Sequence, residues 1–198
     1  MSEASPTVLV IDTNPARAAI IEAGLRAEGY DRIHVDTRME GLAARIAVLF
    51  PDVIVMDLGN PNRDMLENMF QVARAVKKPI AMFVDQSDRE SMEKAIDAGV
   101  SAYVVDGFRV DRVRSIMEMA ISRFNAFSRL ERELESARGA LADRNSVDKA
   151  KRILMRTRQM SEEDAYALLR KSAMNQNRKI ADVAESLILS AELLGRGE

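Results

Sequence analysis

The sequence predicts a doubly wound α/β domain of five parallel strands, then a long coiled-coil helix and an all-α domain of three helices. Three observations carry this. Short apolar runs alternate with stretches of helical periodicity over the first 111 residues. From 111 to 156 there is no proline and a single glycine, Gly139. Three amphipathic stripes separated by polar links then close the chain. The expected division is therefore 1–111, 112–140 and 141–198.

Thr7 to Ile11 is the first strand, and Pro15 to Glu28 the first helix, with Ala16, Ala19, Ile20 and Ala23 at helical spacing. Ile33 to Val35 and the helix Met39 to Phe50 follow. Val53 to Met56 is the third strand, then the helix Asp64 to Val76. Pro79 to Val84 and Ser87 to Ala98 form the fourth pair, and Ala102 to Val105 is the fifth strand. Strands this uniformly apolar are covered on both faces, as in parallel sheets. Sites in such sheets lie at the carboxyl ends of the strands. Asp12, Asp57, Asp85 and Asp106 each stand at such an end and are expected to converge.

In the long helix Val113, Ala120, Phe127, Leu134 and Leu141 recur every seven residues, with Met117 and Phe124 as a second series. Glu131 and Arg138 later take that series' positions. A seven-residue repeat keeps an apolar seam facing another helix. Packing on the first domain accounts for Val113 and Met117. Further along, a parallel homodimer is expected, through Ala120, Phe124, Phe127, Leu134 and Leu141.

Composition narrows the function. With no cysteine, thiolate metal sites and disulfides are excluded. The start MSEASPT is too polar for a signal peptide, and no apolar run approaches the roughly 20 residues needed to span a bilayer. A cytoplasmic protein without a membrane partner is expected. No Ser, His or Cys nucleophile with a base accompanies the strand-end acids. The lone histidine, His34, reads as a surface or edge-strand residue, so no enzyme is expected and no cofactor is required. Charge is segregated: residues 1–111 hold 12 basic and 18 acidic residues, whereas 141–180 hold 10 basic and 5 acidic. A basic segment behind an acidic domain suits a polyanion, or else is a solvated helical face.

Residues 7 to about 118 resemble the receiver domain of two-component response regulators, a flavodoxin-like fold. The resemblance rests on Val10-Ile11-Asp12, on Val53 to Asp57 with Pro61 four residues on, on Lys78-Pro79, and on Ala98-Gly99 before Tyr103. It implies Asp57 as phosphoacceptor and Asp12 with Asp57 as ligands of Mg²⁺. Four departures weaken that implication. Thr13 stands where receivers carry a second acid, Val84 replaces the switch hydroxyl, Asp106 the lysine that pairs with the phosphoryl group, and Gly107 the proline after it. A phosphoaspartate needs cations and donors around its oxygens. The pocket reads as a weakened or abandoned phosphorylation site that could still hold Mg²⁺, against the alternative of an ordinary phosphorylated receiver.

In the last third, Val147, Ala150 and Leu154 share one helical face, and Ser161 caps a second helix with Ala165, Leu168, Leu169 and Ser172 on its apolar side. The link Asn175-Gln176-Asn177 supplies a cap for a third helix with Ile180, Val183, Ala184, Leu187 and Ala191. Leu141 to Leu187 resembles the ANTAR domain of the AmiR and NasT antitermination regulators. The match includes Arg144, Ala150-Lys151, Ile153-Leu154-Met155, Ser161 to Ala165, Leu168-Leu169-Arg170, Ala173-Met174-Asn175 and Asn177-Arg178-Lys179. Arg152 departs from it, where the family often has glycine. Phe83 to Asp88 and Ala102 to Gly107 look like the NasT branch. The resemblance implies binding to paired hairpin loops of leader mRNA, which keeps a terminator from forming. In the NasT branch it also implies control by a nitrate-sensor protein, in nitrate and nitrite assimilation. Candidate RNA-binding residues are Arg144, Lys149, Lys151, Arg170, Lys171, Asn175, Asn177, Arg178 and Lys179. Tyr166 is the domain's only aromatic residue, so stacking on aromatic rings is not expected to be the main device. Duplex DNA binding and docking to an acidic protein partner stay open as alternatives.

Overall fold

The computed structural model describes residues 5–194, Leu194 by its backbone alone. Most of the polar start judged not to be a leader, and the last four residues of the 141–198 segment, lie outside these.

The first compact unit ends at Ser128. Its elements alternate: β1 (Val8–Ile11), α1 (Pro15–Ala27), β2 (Ile33–Asp36), α2 (Leu42–Leu49), β3 (Val53–Asp57), α3 (Arg63–Val76), β4 (Ile80–Val84), α4 (Arg89–Asp97), β5 (Ala102–Val105) and the beginning of α5 (Val110–Arg158). The strands form one parallel sheet in the order β2-β1-β3-β4-β5. β2 is therefore an edge strand, and His34 on it is exposed.

Alternation along each strand sorts the core into two layers. Leu9, Ile11, Ile54, Met56, Ile80, Met82 and Val84 face one way, onto Leu42 and Ile46 of α2, Met69 and Phe70 of α3, and Ala95 of α4. Val8, Val10, Val53, Val55, Ala81 and Phe83 face the other, onto Ile21 and Leu25 of α1 and Val113, Met117 and Ala120 of α5. Every strand residue from β1, β3 and β4 is buried, which explains why those runs are apolar without interruption.

Ala120 corrects the expected dimer seam. It is fully buried in the first unit's own core, so it cannot meet a second chain. The seven-residue series thus changes partner along the helix: Val113 and Ala120 pack on the sheet, while Phe127, Leu134 and Leu141 are each more than half exposed. Phe124, between them, is half-buried.

The second compact unit, Arg129–Glu198, contains the rest of α5, α6 (Glu162–Gln176) and α7 (Ile180–Leu194). Ala150 and Leu154 of α5, Ala165, Leu169 and Ala173 of α6, and Val183 and Ala184 of α7 make its small core. Ser161 caps α6: its hydroxyl accepts from the Asp164 N–H at 3.1 Å, and three acids in the first turn complement the helix dipole. The link to α7 differs from expectation. Asn175 and Gln176 lie within α6, and Asn177 is its C-cap at φ 50°. Its backbone N–H closes the last turn, so Asn177 ends one helix instead of starting the next.

Candidate functional site

At the carboxyl end of the sheet, Asp12 follows β1 and Asp57 ends β3, both essentially buried. The Asp12 Oδ1 accepts from the Asn14 N–H at 2.8 Å, and the Asn14 side chain in turn caps α1 by accepting from the Ala16 and Arg17 N–H groups. Pro15 begins the helix, where its missing donor costs nothing. This turn places Arg17 in the first helical turn, a position whose dipole disfavours a cation. The compensation is a two-pronged ion pair: Nε to Asp12 Oδ2 at 2.6 Å and Nη2 to Asp12 Oδ1 at 2.7 Å. The same Nε stands 3.6 Å from Asp57 Oδ1.

Gly59 makes room for this. Its φ is +59°, and a Cβ there would stand 2.4 Å from Arg17 Nη1. Its N–H donates to Asp57 Oδ1 at 3.0 Å, and its carbonyl accepts from the Asp85 N–H at 2.8 Å. Burial pushes the Asp57 carboxyl above the usual range; the Gly59 N–H and Arg17 pull it down, and Asp12 and Asp85 push it further up. The Arg17 guanidinium is held protonated chiefly by its bonds to Asp12. Asp106, with φ 77°, is exposed, and Val84 beneath it is fully buried and brings no hydroxyl.

The expected Mg²⁺ site can now be tested against these contacts. Both Asp12 oxygens are committed to Arg17, and the second acid is absent at exposed Thr13. Among the described residues, no group of three or more His, Cys, Asp or Glu is arranged to hold a metal ion. The residues as they stand do not fit a divalent cation, because the position between Asp12 and Asp57 is taken by a guanidinium. Arg17 was not among the expected site residues. Its signal is the spacing of an acid, a capping Asn-Pro and an arginine within six residues.

In the second unit, a groove of about 600 Å³ is lined by Asp143, Arg144, Val147, Asp148, Lys151, Tyr166, Arg178, Lys179, Ile180 and Ala181. Four of the nine candidate RNA-binding residues meet there, from α5 and the α6–α7 link. Tyr166 was not on that list, yet its ring lines the same groove and is 44% exposed. Lys151 is half-buried, bonded to Asp148 and Glu162 at 2.7 Å each, and those bonds raise its pKa. Arg178 reaches Gln176 at 3.2 Å, and the Asp182 carbonyl and Ser186 hydroxyl at 2.9 Å each, so it braces the link to α7.

Lys149 lies apart from the groove, paired with Glu192 at 2.7 Å. It lines a second depression with Arg152 and Arg156, one helical face of α5 that spacing alone could have shown. Arg170, Lys171 and Asn175 are exposed on α6 and do not line the groove, nor does Asn177. No helix among the described residues is long and apolar enough to cross a membrane.

The comparisons with known proteins agree with this geometry. Residues 8–118 match the response regulator receiver domain and residues 135–188 the ANTAR domain. The chain is 30% identical over 164 residues to the transcriptional regulatory protein PdtaR of Mycobacterium tuberculosis, covering 83% of this chain and 80% of the relative. It is 31% identical over 75 residues to the nitrate regulatory protein of Klebsiella oxytoca, 38% of this chain and 19% of that one. The fold is similar to the receiver domain of a modulated diguanylate cyclase from Desulfovibrio desulfuricans, with a TM-score of 0.52 and 24% identity over 61% of this chain and 97% of that one. A receiver sheet followed by an ANTAR helical unit places the chain among the ANTAR-domain response regulators, a family of RNA-binding antiterminators.

Proposed function

We propose that this chain is a cytoplasmic antiterminator that binds paired hairpin loops in leader transcripts and keeps the terminator from forming. The observation that carries the reading is the groove that Arg144, Lys151, Arg178 and Lys179 line together with Tyr166. Unpaired loop bases can stack on a ring or a guanidinium plane while ammonium groups meet phosphates. In this reading residues 1–111 are the receiver, 112–140 the linker coil and 141–198 the RNA-binding domain, the linker's first turns being shared with the receiver core. Arg170, Lys171, Asn175, Asn177 and Lys149 extend the contact beyond the groove. Two hairpins suit two copies, and a parallel homodimer forms through Phe127, Leu130, Leu134 and Leu141, with Phe124 at its edge.

Control belongs to a partner protein more than to phosphorylation of Asp57. An exposed Asp106 where the lysine would stand, and a carboxyl already crowded by Asp12 and Asp85, both oppose further negative charge. Nitrate and nitrite assimilation under a nitrate sensor, as in the NasT branch, is the physiological setting we propose. It is supported by the shared segment with the nitrate regulatory protein and by the phrases Phe83 to Asp88 and Ala102 to Gly107.

The test is a filter-binding titration against a two-hairpin leader RNA. Lys179→Ala and Arg144→Ala should each weaken binding by about 1–3 kcal/mol. Unchanged affinity in both would remove the groove from the interface.

A further inference from the structure

Receiver pockets are built for exchangeable cations, and this one contains a covalently tethered cation. We propose that Arg17 is the resident counterion of the acidic pocket and closes it to divalent metal. Four features converge. Both oxygens of fully buried Asp12 are bonded by one guanidinium, at 2.6 and 2.7 Å. The same group lies 3.6 Å from Asp57. The cap made by Asn14 and Pro15 fixes where in α1 the arginine emerges. Gly59, with no side chain and a left-handed backbone, leaves the space through which the guanidinium passes.

A divalent ion would have to displace this group from Asp12, leaving a buried carboxylate to be shared between metal and arginine. The tethered cation wins because its entropy of localisation is already spent in folding, whereas Mg²⁺ must shed water to enter. The chain itself thus balances the charge of Asp12, while Asp57 and Asp85 leave the pocket net negative. The pocket's positive charge enters from α1, whereas the end of β5, where receivers carry a lysine, brings the exposed Asp106.

The experiment uses the full chain and Mn²⁺ as probe, read by the electron paramagnetic resonance signal of free Mn²⁺ and by Tm. Wild type should leave the signal and Tm unchanged at millimolar Mn²⁺. Arg17→Ala should have a lower Tm without metal, regain part of it on addition of Mn²⁺, and bind about one ion at least roughly tenfold more tightly. Arg17→Gln, which keeps more of the packing, should do the same if the alanine variant folds poorly. Adding Asp12→Asn to either variant should abolish the gain. Metal binding by wild type that disappears in Asp12→Asn would overturn the proposal, as would arginine variants that bind Mn²⁺ no better than wild type.

Discussion

Asp57 is the residue on which the receiver's chemistry turns, and its surroundings work against its charge. Burial and two neighbouring carboxylates raise its pKa, so the folded chain binds a proton there more readily than the unfolded chain. Stability contributed at this position therefore falls as pH rises from the unfolded value, near 3.9, through the raised folded one, and the penalty is complete above it. Asp57→Asn, which can still accept from the Gly59 N–H, should raise Tm at pH 7. The difference should shrink as the pH is lowered through that window, as thermal scans at several pH values would show. At Gly59 the expectation is opposite. Gly59→Ala forces a Cβ into the path of Arg17 on a left-handed backbone and should cost about 1–3 kcal/mol in chemical denaturation. The loss should be smaller in an Arg17→Ala background, where the obstruction is gone. Asp12 and Asp57 could be recognised in the sequence because strand ends collect acids in sheets of this kind. The arginine between them left only a local trace, the acid, Asn-Pro and arginine within six residues, because its reach also depends on Gly59, more than forty residues away.

Among the elements, α5 shows what periodicity reveals and what it hides. The seven-residue series from Val113 to Leu141 was legible, as was the unbroken helix around it. Hidden was the point where the stripe changes partner, because Ala120 and Phe127 occupy equivalent positions in the repeat. Only the folded sheet shows that the first is core and the second surface. Leu130, missed by the strict repeat, lies three residues from Phe127 and four from Leu134, and is likewise more than half exposed. Leu130→Lys with Leu134→Glu should therefore convert a dimer to a monomer in sedimentation velocity while leaving the receiver's unfolding transition in place. In the small helical core, truncation of fully packed Leu169 to alanine should cost about 2–5 kcal/mol, a large fraction of what seven buried residues can supply.

On the scale of the whole molecule, function follows from the separation of charge along the chain. The acidic receiver and the basic helical unit were both visible in a residue count, and the identity of the second unit in residues at fixed spacing. What the count could not show is which cations share one groove. Arg144, Lys151, Arg178 and Lys179 come from distant parts of the sequence to one groove, whereas Lys149, two residues from Lys151, faces another side of α5 and pairs with Glu192. Arg178 is also a brace for α7, so its removal tests folding as much as recognition. The decisive measurement is a gel-shift titration of the full chain against a two-hairpin leader RNA, the same RNA with substituted loops, and duplex DNA of equal length. Tight binding to the first alone, weakened in Lys179→Ala, is the predicted result. Equal weak binding to all three, fading together as salt is added, would reduce the groove to nonspecific charge and contradict the account.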